Sequence, residues 1–191
     1  QLRPAAYLRL HENRWTSDEE MFIPPEKWDA CVHTDHSPML ADNGQTLWIH
    51  VDASVKRDSS AAVATYYDRE TRKVVLAMHR IWQPSPDEPL DLEETIEKYL
   101  IEMWARYRVS GISYDPFQFH RSATTLSKRG IPIIEFAQTE PNLTAASQQL
   151  YELLEYNNLL MYPSNELRKQ AMGAVALEKK RGWRIAKERR S

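Results

Sequence analysis

Two aspartates that follow apolar, strand-like runs are the residues whose type and spacing could do chemistry. Asp52 comes directly after the run 47–51, and Asp115 comes directly after the run 111–114. Burying a charge is costly unless a cation, a hydrogen-bond donor or a metal ion compensates it. We therefore predict that the two carboxylates meet in space and share divalent metal ions.

The carboxylate pair indicates phosphodiester hydrolysis, because carboxylates bind the divalent ions that can catalyse this reaction. Neighbouring carboxylates repel each other unless a cation lies between them, and their oxygen atoms favour Mg²⁺ or Mn²⁺ over zinc. Two such ions about 4 Å apart can activate a water molecule and stabilise the leaving oxygen of a phosphodiester. Asp58, six residues past Asp52, is either a supporting ligand or a solvated loop acid.

Simpler interpretations of both acids stay open at this point. Asp52 could cap the loop that follows its strand. Asp115 precedes Pro116, a pattern that is also typical of a helix N-cap with proline at the first helical position. Since a capping residue can also be a ligand, the topology has to decide whether the two acids are neighbours.

The order of strands and helices predicts that the acids are neighbours. Three apolar runs with short connections, 46–51, 61–67 and 73–81, predict an antiparallel meander. An amphipathic helix, a strand over 109–114, a second helix and a strand over 131–136 follow, and this alternation predicts parallel pairing. The predicted fold class is α/β: a ribonuclease H-like mixed central sheet, three antiparallel strands followed by parallel strands, flanked by helices. In that layout the first and fourth strands lie side by side at the sheet centre.

The two ends of the chain carry different signals. Residues 1–45 are polar and rich in proline and are interpreted as an N-terminal arm or linker, with 46–191 as the α/β domain. Because the chain does not begin with Met, we expect a piece of a longer protein. Towards the other end, helices are predicted to begin at Asn142 or Thr144 and at Ser164, followed by a basic β-hairpin.

Composition restricts the class of protein. The chain has 191 residues, of which 42% are hydrophobic and 27% charged, as expected for a globular domain with a substantial core. No apolar run reaches the roughly 20 residues that a membrane span needs, so no membrane partner is expected. The single cysteine, Cys31, excludes an internal disulfide, and a net charge of −2 argues against a generally basic nucleic-acid-binding surface.

Other conspicuous residues are predicted to be structural. The core candidates are Trp48, Met103, Trp104 and Leu153. His50 and His79 lie within predicted strands, where a hydrogen-bonded histidine is more common than a general base. His120 follows Asp115 closely, so a chemical role is an alternative for this residue. The cluster 33–36, with two histidines and one acid, lacks further ligands and is interpreted as a solvated loop.

Five short motifs occur in a distinctive order. They are Val51-Asp52-Ala53-Ser54 with Lys56, Arg57 and Asp58, then Tyr114-Asp115-Pro116, Glu140-Pro141-Asn142-Leu143-Thr144, Leu159-Leu160-Met161-Tyr162, and the basic hairpin after Gly173. In this order they resemble the nuclease domain of the large terminase subunit of tailed bacteriophages, which would make 46–191 that domain. The resemblance implies a metal-dependent endonuclease that cuts concatemeric double-stranded DNA during genome packaging, with Asp52 and Asp115 as metal ligands.

The resemblance also implies a cellular setting. The full-length protein would carry an ATPase motor domain, meet a portal and a small terminase subunit, and act in the cytoplasm of the infected bacterial host. This sequence contains no Gly-x-x-x-x-Gly-Lys-Ser/Thr phosphate loop, so no ATP hydrolysis is expected of it. The family's third acid follows the basic hairpin, whereas this sequence stops at Ser191, so we expect an incomplete ligand set, weak Mg²⁺ or Mn²⁺ binding and poor cutting.

Positive charge near the end of the chain predicts the DNA contact. As a hypothesis, Lys180, Arg181 and Arg184 bind phosphates of the duplex backbone, the alternative being a solvated terminus. Two other functions stay open: another ribonuclease H-like nuclease of the resolvase or transposase type, or a non-catalytic DNA-holding module whose acids are structural. Comparing substrates distinguishes the terminase nuclease from a resolvase or transposase. Metal-dependent stabilisation that is lost in Asp52→Asn distinguishes a nuclease from a DNA-holding module.

Overall fold

The chain forms nine strands and five α-helices within the residues that the structure describes. The structure, a computed structural model, describes residues 20–54, 59–85, 87–179 and 182–187. The strands are β1 (Glu20–Met21), β2 (Thr46–Asp52), β3 (Ser60–Asp68), β4 (Lys73–Trp82), β5 (Arg108–Tyr114), β6 (Ile133–Glu135), β7 (Leu159–Leu160), β8 (Ala174–Lys179) and β9 (Gly182–Lys187). The helices are α1 (Pro25–Ala30), α2 (Lys98–Arg106), α3 (His120–Lys128), α4 (Glu140–Glu155) and α5 (Asn165–Met172), and one π-helical turn over Glu93–Glu97 leads into α2.

These elements divide into two compact units. The sheet unit is formed by Val32–Gln138 and Asn158–Pro163, and the hairpin unit by 20–31, Thr139–Asn157, 164–179 and 182–187. The predicted boundary between an arm over 1–45 and a domain over 46–191 stays a prediction. Within the described part of the chain, no helix is long and apolar enough to cross a membrane.

The sheet unit is built on six strands in the order β6-β5-β2-β3-β4-β7. β2, β3 and β4 pair antiparallel in sequence, and β2–β5, β5–β6 and β4–β7 pair parallel. The predicted mixed sheet is therefore confirmed, with β2 and β5 as adjacent interior strands. The strand β7 was not predicted, because a two-residue strand has no periodicity of its own and depends on its pairing with β4.

The alternation of side chains along β2 separates a buried face from an open one. Leu47, Ile49 and Val51 are at most 2% exposed and pack into the core, where Leu100 of α2 and Leu126 of α3 are also fully buried. Burying one such aliphatic side chain completely contributes about 1.5–3 kcal/mol. This packing fixes which face β2 buries, and its remaining side chains point to the opposite face.

Two of the four predicted core residues are instead exposed. Met103 is buried as expected and Leu153 is half-buried, but Trp48 is 56% exposed and Trp104 is 39% exposed. Trp48 lies on the open face of β2 with its ring over Gly111, where a Cβ atom would come within 2.7 Å of the Trp48 ring. The prediction was wrong because hydrophobicity was weighed without the strand period that assigns Trp48 to the open face.

Side chains accept backbone N–H groups near the starts of three helical segments. Asp91 Oδ1 accepts the Glu93 and Glu94 N–H groups at 2.9 and 3.2 Å, just before the π-helical turn. Ser164 Oγ accepts the Leu167 N–H at 3.2 Å at the predicted start of α5. The prediction for α4 was wrong, because its cap is Thr139, whose hydroxyl accepts the N–H of Asn142, and neither Asn142 nor Thr144 is the first residue of the helix.

The hairpin unit contains the predicted β8–β9 hairpin. β8 and β9 pair antiparallel, and β1 adds to the other edge of β8. The rings of Phe22, Tyr151 and Trp183 lie 5.7–6.3 Å apart between centroids, and the Ile185 N–H donates to Ser147 Oγ at 2.9 Å. The hairpin is thus held on α4 by aromatic packing and by a hydrogen bond to a buried hydroxyl.

Candidate metal site

The parallel register of β2 and β5 sets the two predicted acids side by side. Val51 pairs with Tyr114, and the Asp115 N–H donates to the Val51 carbonyl at 3.1 Å. Asp52 and Asp115 therefore leave neighbouring strands at the same level, and neighbouring strands lie about 4.8 Å apart. Since side chains alternate, Asp52 shares the open face with His50.

A turn that begins at Asp115 fixes its carboxylate. Asp115 Oδ1 accepts the Phe117 N–H at 2.9 Å, and α3 starts only at His120, with Phe119 in the N-cap position. The N-cap interpretation of Asp115-Pro116 was therefore wrong, and the local motif is an Asx turn. An ionised carboxylate has about four lone-pair sites, so one N–H donor leaves capacity for a metal ion.

The pKa of His50 depends on the charges at this end of β2 and β5. Its Nδ1 atom is 2.8 Å from the Ser113 hydroxyl, and Ser113 is its partner in the β2–β5 register. Burial lowers the pKa of His50, whereas the negative charges of Asp52 and Asp115 raise it. Both carboxylates are thus close enough to act on the same imidazole, which supports their proximity.

A serine that was not predicted closes the loop after Asp52. Ser60, at the start of β3, is fully buried. Its hydroxyl accepts the Ser54 N–H and donates to the Ser54 carbonyl, both at 2.8 Å. Ser54 and Ser60 are therefore held together, whereas residues 55–58, with the candidate ligand Asp58, lie outside the described residues. No sequence pattern indicated this role, because Ser60 precedes the predicted strand over 61–67.

The structure also describes some of the other candidate residues. His120 is exposed at the start of α3, and His36 Nε2 lies 3.1 Å from the Leu76 carbonyl in the predicted loop cluster. Of the predicted DNA-binding residues, Arg184 lies in β9 opposite Leu177. Lys180 and Arg181 lie outside the described residues.

The oxygen ligands at the carboxyl ends of β2 and β5 suit a hard divalent cation. In the ranges 20–54, 59–85, 87–179 and 182–187, no group of three or more His, Cys, Asp or Glu side chains could hold a metal ion. Mg²⁺ seldom needs such a group, because it is usually bound through one or two carboxylates together with water and phosphate oxygens. Asp52 and Asp115 fit that pattern, and they do not fit the closed four-ligand site of structural zinc.

Sequence and structure comparisons agree on one class of protein. The chain matches the family model described as terminase large subunit, endonuclease domain, over residues 2–104. The matched segment includes Asp52 and ends before Asp115. No curated protein matches the chain significantly.

Solved structures with the same fold come from bacteriophages. The large terminase of bacteriophage HK97 superposes with a TM-score of 0.72 at 15% identity, over 95% of this chain and 42% of that chain. The large terminase nuclease from thermophilic phage G20c with bound magnesium has a TM-score of 0.67 at 11% identity, over 92% of both chains. This chain thus spans less than half the length of the HK97 protein. At these identities the likeness establishes the fold, which is the ribonuclease H-like mixed sheet.

Proposed function

The chain belongs to the family of terminase large subunit endonuclease domains, and we propose on this premise that it hydrolyses concatemeric double-stranded DNA during viral genome packaging. The observation that carries the proposal is the β2–β5 register, which sets Asp52 and Asp115 at neighbouring strand ends. Two carboxylates in this position repel each other, and a shared divalent cation removes that repulsion.

The proposed chemistry assigns separate tasks to the ligands and to the residues that hold them. Asp52 and Asp115 would bind Mg²⁺ or Mn²⁺, with Asp58 as a supporting acid. When bound, a pair of such ions activates water and neutralises charge on the leaving oxygen of the phosphodiester. The Phe117 N–H keeps the Asp115 carboxylate in one orientation, and the Ser60 hydroxyl fixes the backbone just after Asp52.

Phosphate contacts are assigned to the hairpin unit. We expect Lys180, Arg181 and Arg184 to bind the duplex backbone without reading its sequence. Each lost phosphate contact reduces the slope of log affinity against log salt by about 0.9. Arg184→Ala should show that reduction, whereas Arg108→Ala, which removes an exposed arginine paired with Asp42, should not. Equal slopes for both variants and the unchanged protein would count against the contact.

The setting follows from the same premise. Within a full-length large subunit, the nuclease would be joined to an ATPase motor domain and would meet a portal and a small terminase subunit in the cytoplasm of the infected bacterial host. The two-ion mechanism and the need for a third carboxylate are parts of this proposal. The latter is tested by comparing this chain with one extended past Ser191, which we expect to bind Mn²⁺ more tightly and to cut faster. Equal activity of the two would contradict it.

A substrate comparison tests the proposed function. Duplex DNA, a four-way junction and an RNA–DNA hybrid are each incubated with Mg²⁺, with Mn²⁺ or with EDTA. We expect metal-dependent cutting of duplex DNA that is lost in Asp52→Asn. A preference for the junction or the hybrid would favour another ribonuclease H-like nuclease. DNA binding without cutting, with no metal-dependent stabilisation of the wild type, would favour a DNA-holding module.

A further inference from the structure

Phe117 is an exposed aromatic residue immediately beside the acid pair. It lies two residues past Asp115, and its side chain is 70% exposed. Single apolar residues on a protein surface are ordinary and need no explanation by themselves. The position of Phe117 and the way its loop is anchored make it a candidate for a specific contact.

The chain on both sides of Phe117 is fixed. On one side, the Phe117 N–H donates to Asp115 Oδ1 at 2.9 Å. On the other side, Phe119 is fully buried, and its ring lies 5.8 Å from that of Tyr114 at the end of β5. Between them Gln118 has a φ of 64°, a left-handed conformation that a residue other than glycine seldom adopts. The backbone of Phe117 is therefore fixed beside the Asp115 carboxylate, and the residue is exposed to solvent there.

Two features of this place favour DNA over water as the neighbour of the ring. The Asp115 carboxylate that orients Phe117 is one of the two acids proposed to act at the phosphodiester. Arg121, at the start of α3, is 89% exposed, and its exposed ion pair with Glu93 at 3.2 Å costs little to exchange for a phosphate. A duplex held at the acids would thus meet an apolar ring, with an exposed cation four residues further along the chain.

We propose that Phe117 inserts against the base step next to the phosphodiester to be cut, and that it partly unstacks this step. The inference rests on the proposed nuclease function and adds a DNA-contacting residue to it. Proteins that kink duplex DNA use apolar side chains as wedges between base steps. Aromatic rings stack on every base, so such a contact would not restrict the sequence that is cut.

Cleavage of two matched duplexes tests the insertion. One duplex is fully paired, and the other has the same sequence with a few central mismatches that already open the stack. Phe117→Ala should slow cutting of the paired duplex about tenfold, the effect of losing one aromatic–base contact. On the mismatched duplex it should cut within about twofold of the wild type, since the opening has been supplied. Phe117→Trp should restore cutting of the paired duplex.

Controls separate this role from a structural one. Because the turn uses the backbone N–H, Phe117→Ala retains the hydrogen bond to Asp115. Tyr67→Ala removes another exposed aromatic of the sheet unit, six residues along β3 from the partner of Asp52 in the register, and should cut both duplexes like the wild type. An equal loss on both duplexes for Phe117→Ala would mean that the residue supports the acids and does not open DNA, and would overturn the proposal.

A binding measurement makes the test independent of cutting. Duplex DNA with a central 2-aminopurine is titrated with protein in EDTA, and the fluorescence of this base reports unstacking. We expect a rise with the wild type and little change with Phe117→Ala at saturating protein. Wild-type protein that cuts DNA but produces no rise, or a Phe117→Ala variant that cuts the paired duplex at the wild-type rate, overturns the wedge alone. Protein that neither binds nor cuts duplex DNA overturns the proposed function itself.

Discussion

Two histidines, His50 of β2 and His79 of β4, lie in one row across the sheet with Val63 of β3 between them. Each makes a contact with a hydroxyl group. His50 Nδ1 is 2.8 Å from the Ser113 hydroxyl, and His79 Nδ1 is 2.5 Å from the Tyr162 hydroxyl. Each imidazole also contacts an aromatic ring, edge-on for His50 and stacked for His79. Both are hydrogen-bonded strand histidines, as the sequence predicted.

The two regions differ in the groups that the structure shows beside these histidines. Asp52 and Asp115 act on His50 and raise its pKa against the larger lowering caused by burial. Among the described residues, His79 contacts the phenol of Tyr162, and burial raises the pKa of this phenol to about 12. A histidine bonded to a hydroxyl is therefore common to both regions and does not mark a functional site. The pair of carboxylates distinguishes the region around His50.

Removing either carboxylate should have the largest effect on activity. Asp52→Asn or Asp115→Asn should lower the rate of DNA cleavage at least about a hundredfold, because a lost ligand removes several kcal/mol of charge stabilisation. Asp42→Asn is the matched control, since this acid precedes β2 and is paired with Arg108 at 3.6 Å. It should change the rate less than about twofold. Rates of plasmid DNA cleavage with Mg²⁺ check this. If Asp52→Asn cut at the wild-type rate, the region around His50 would have no special role in activity.

Removing the hydroxyl beside His79 should change stability and leave activity intact. Tyr162→Phe removes the hydroxyl that contacts the part-buried imidazole of His79, which should lower the free energy of unfolding by about 1–2 kcal/mol. Tyr67→Phe, at an exposed tyrosine, should lower it by less than about 0.5 kcal/mol. Urea denaturation measures both. A Tyr162→Phe variant with wild-type stability but impaired DNA cleavage would show that the His79 region also takes part in function.

The matching change beside His50 should be intermediate. Ser113→Ala removes the hydroxyl that contacts His50 Nδ1 and should lower the free energy of unfolding by about 1 kcal/mol. Because Ser113 is not a proposed ligand, cleavage should fall by less than about tenfold. The two readouts are urea denaturation and the plasmid cleavage rate. A loss as large as that of Asp115→Asn would place His50 among the reacting groups.

The last expected effect, which is confined to alkaline pH, is on stability. Tyr162 has a raised pKa in the folded protein, whereas an unfolded tyrosine titrates near 10. Above pH 10 the unfolded state therefore loses this proton first, and stability falls as the pH rises from about 10 towards 12. Tyr162→Phe should reduce the slope of stability against pH in this window. Urea midpoints at several pH values measure it, and parallel slopes would contradict the assigned pKa.

The sequence was most informative where local period and chain order agree. The meander β2–β3–β4 follows from three apolar runs with tight connections, and the parallel position of β5 follows from the helix between β4 and β5. This order matches the ribonuclease H-like layout, in which the first and fourth strands are adjacent, and that layout predicts that Asp52 and Asp115 leave neighbouring strands. The Asx turn at Asp115 was not predicted, because Asp-Pro is compatible with both a turn and a helix start.

Three other features differ in how far the sequence indicates them. The strand period alone indicates the exposure of Trp48, since it places this residue on the same face as Asp52. The cap at Thr139 had a weaker signal, a proline in the first turn of α4. The role of Ser60 in closing the loop after Asp52 depends on the backbone path between β2 and β3, which no pattern in the sequence specifies.

The location of a bound ion tests the central claim most directly. Crystals soaked in Mn²⁺ and measured at a wavelength where manganese scatters anomalously would show the ion itself. We predict an anomalous peak about 2.1 Å from carboxylate oxygens of both Asp52 and Asp115. A manganese-saturated crystal with no peak at that edge of the sheet, or with its only ions bound elsewhere, would contradict the assignment of these two acids as the metal site.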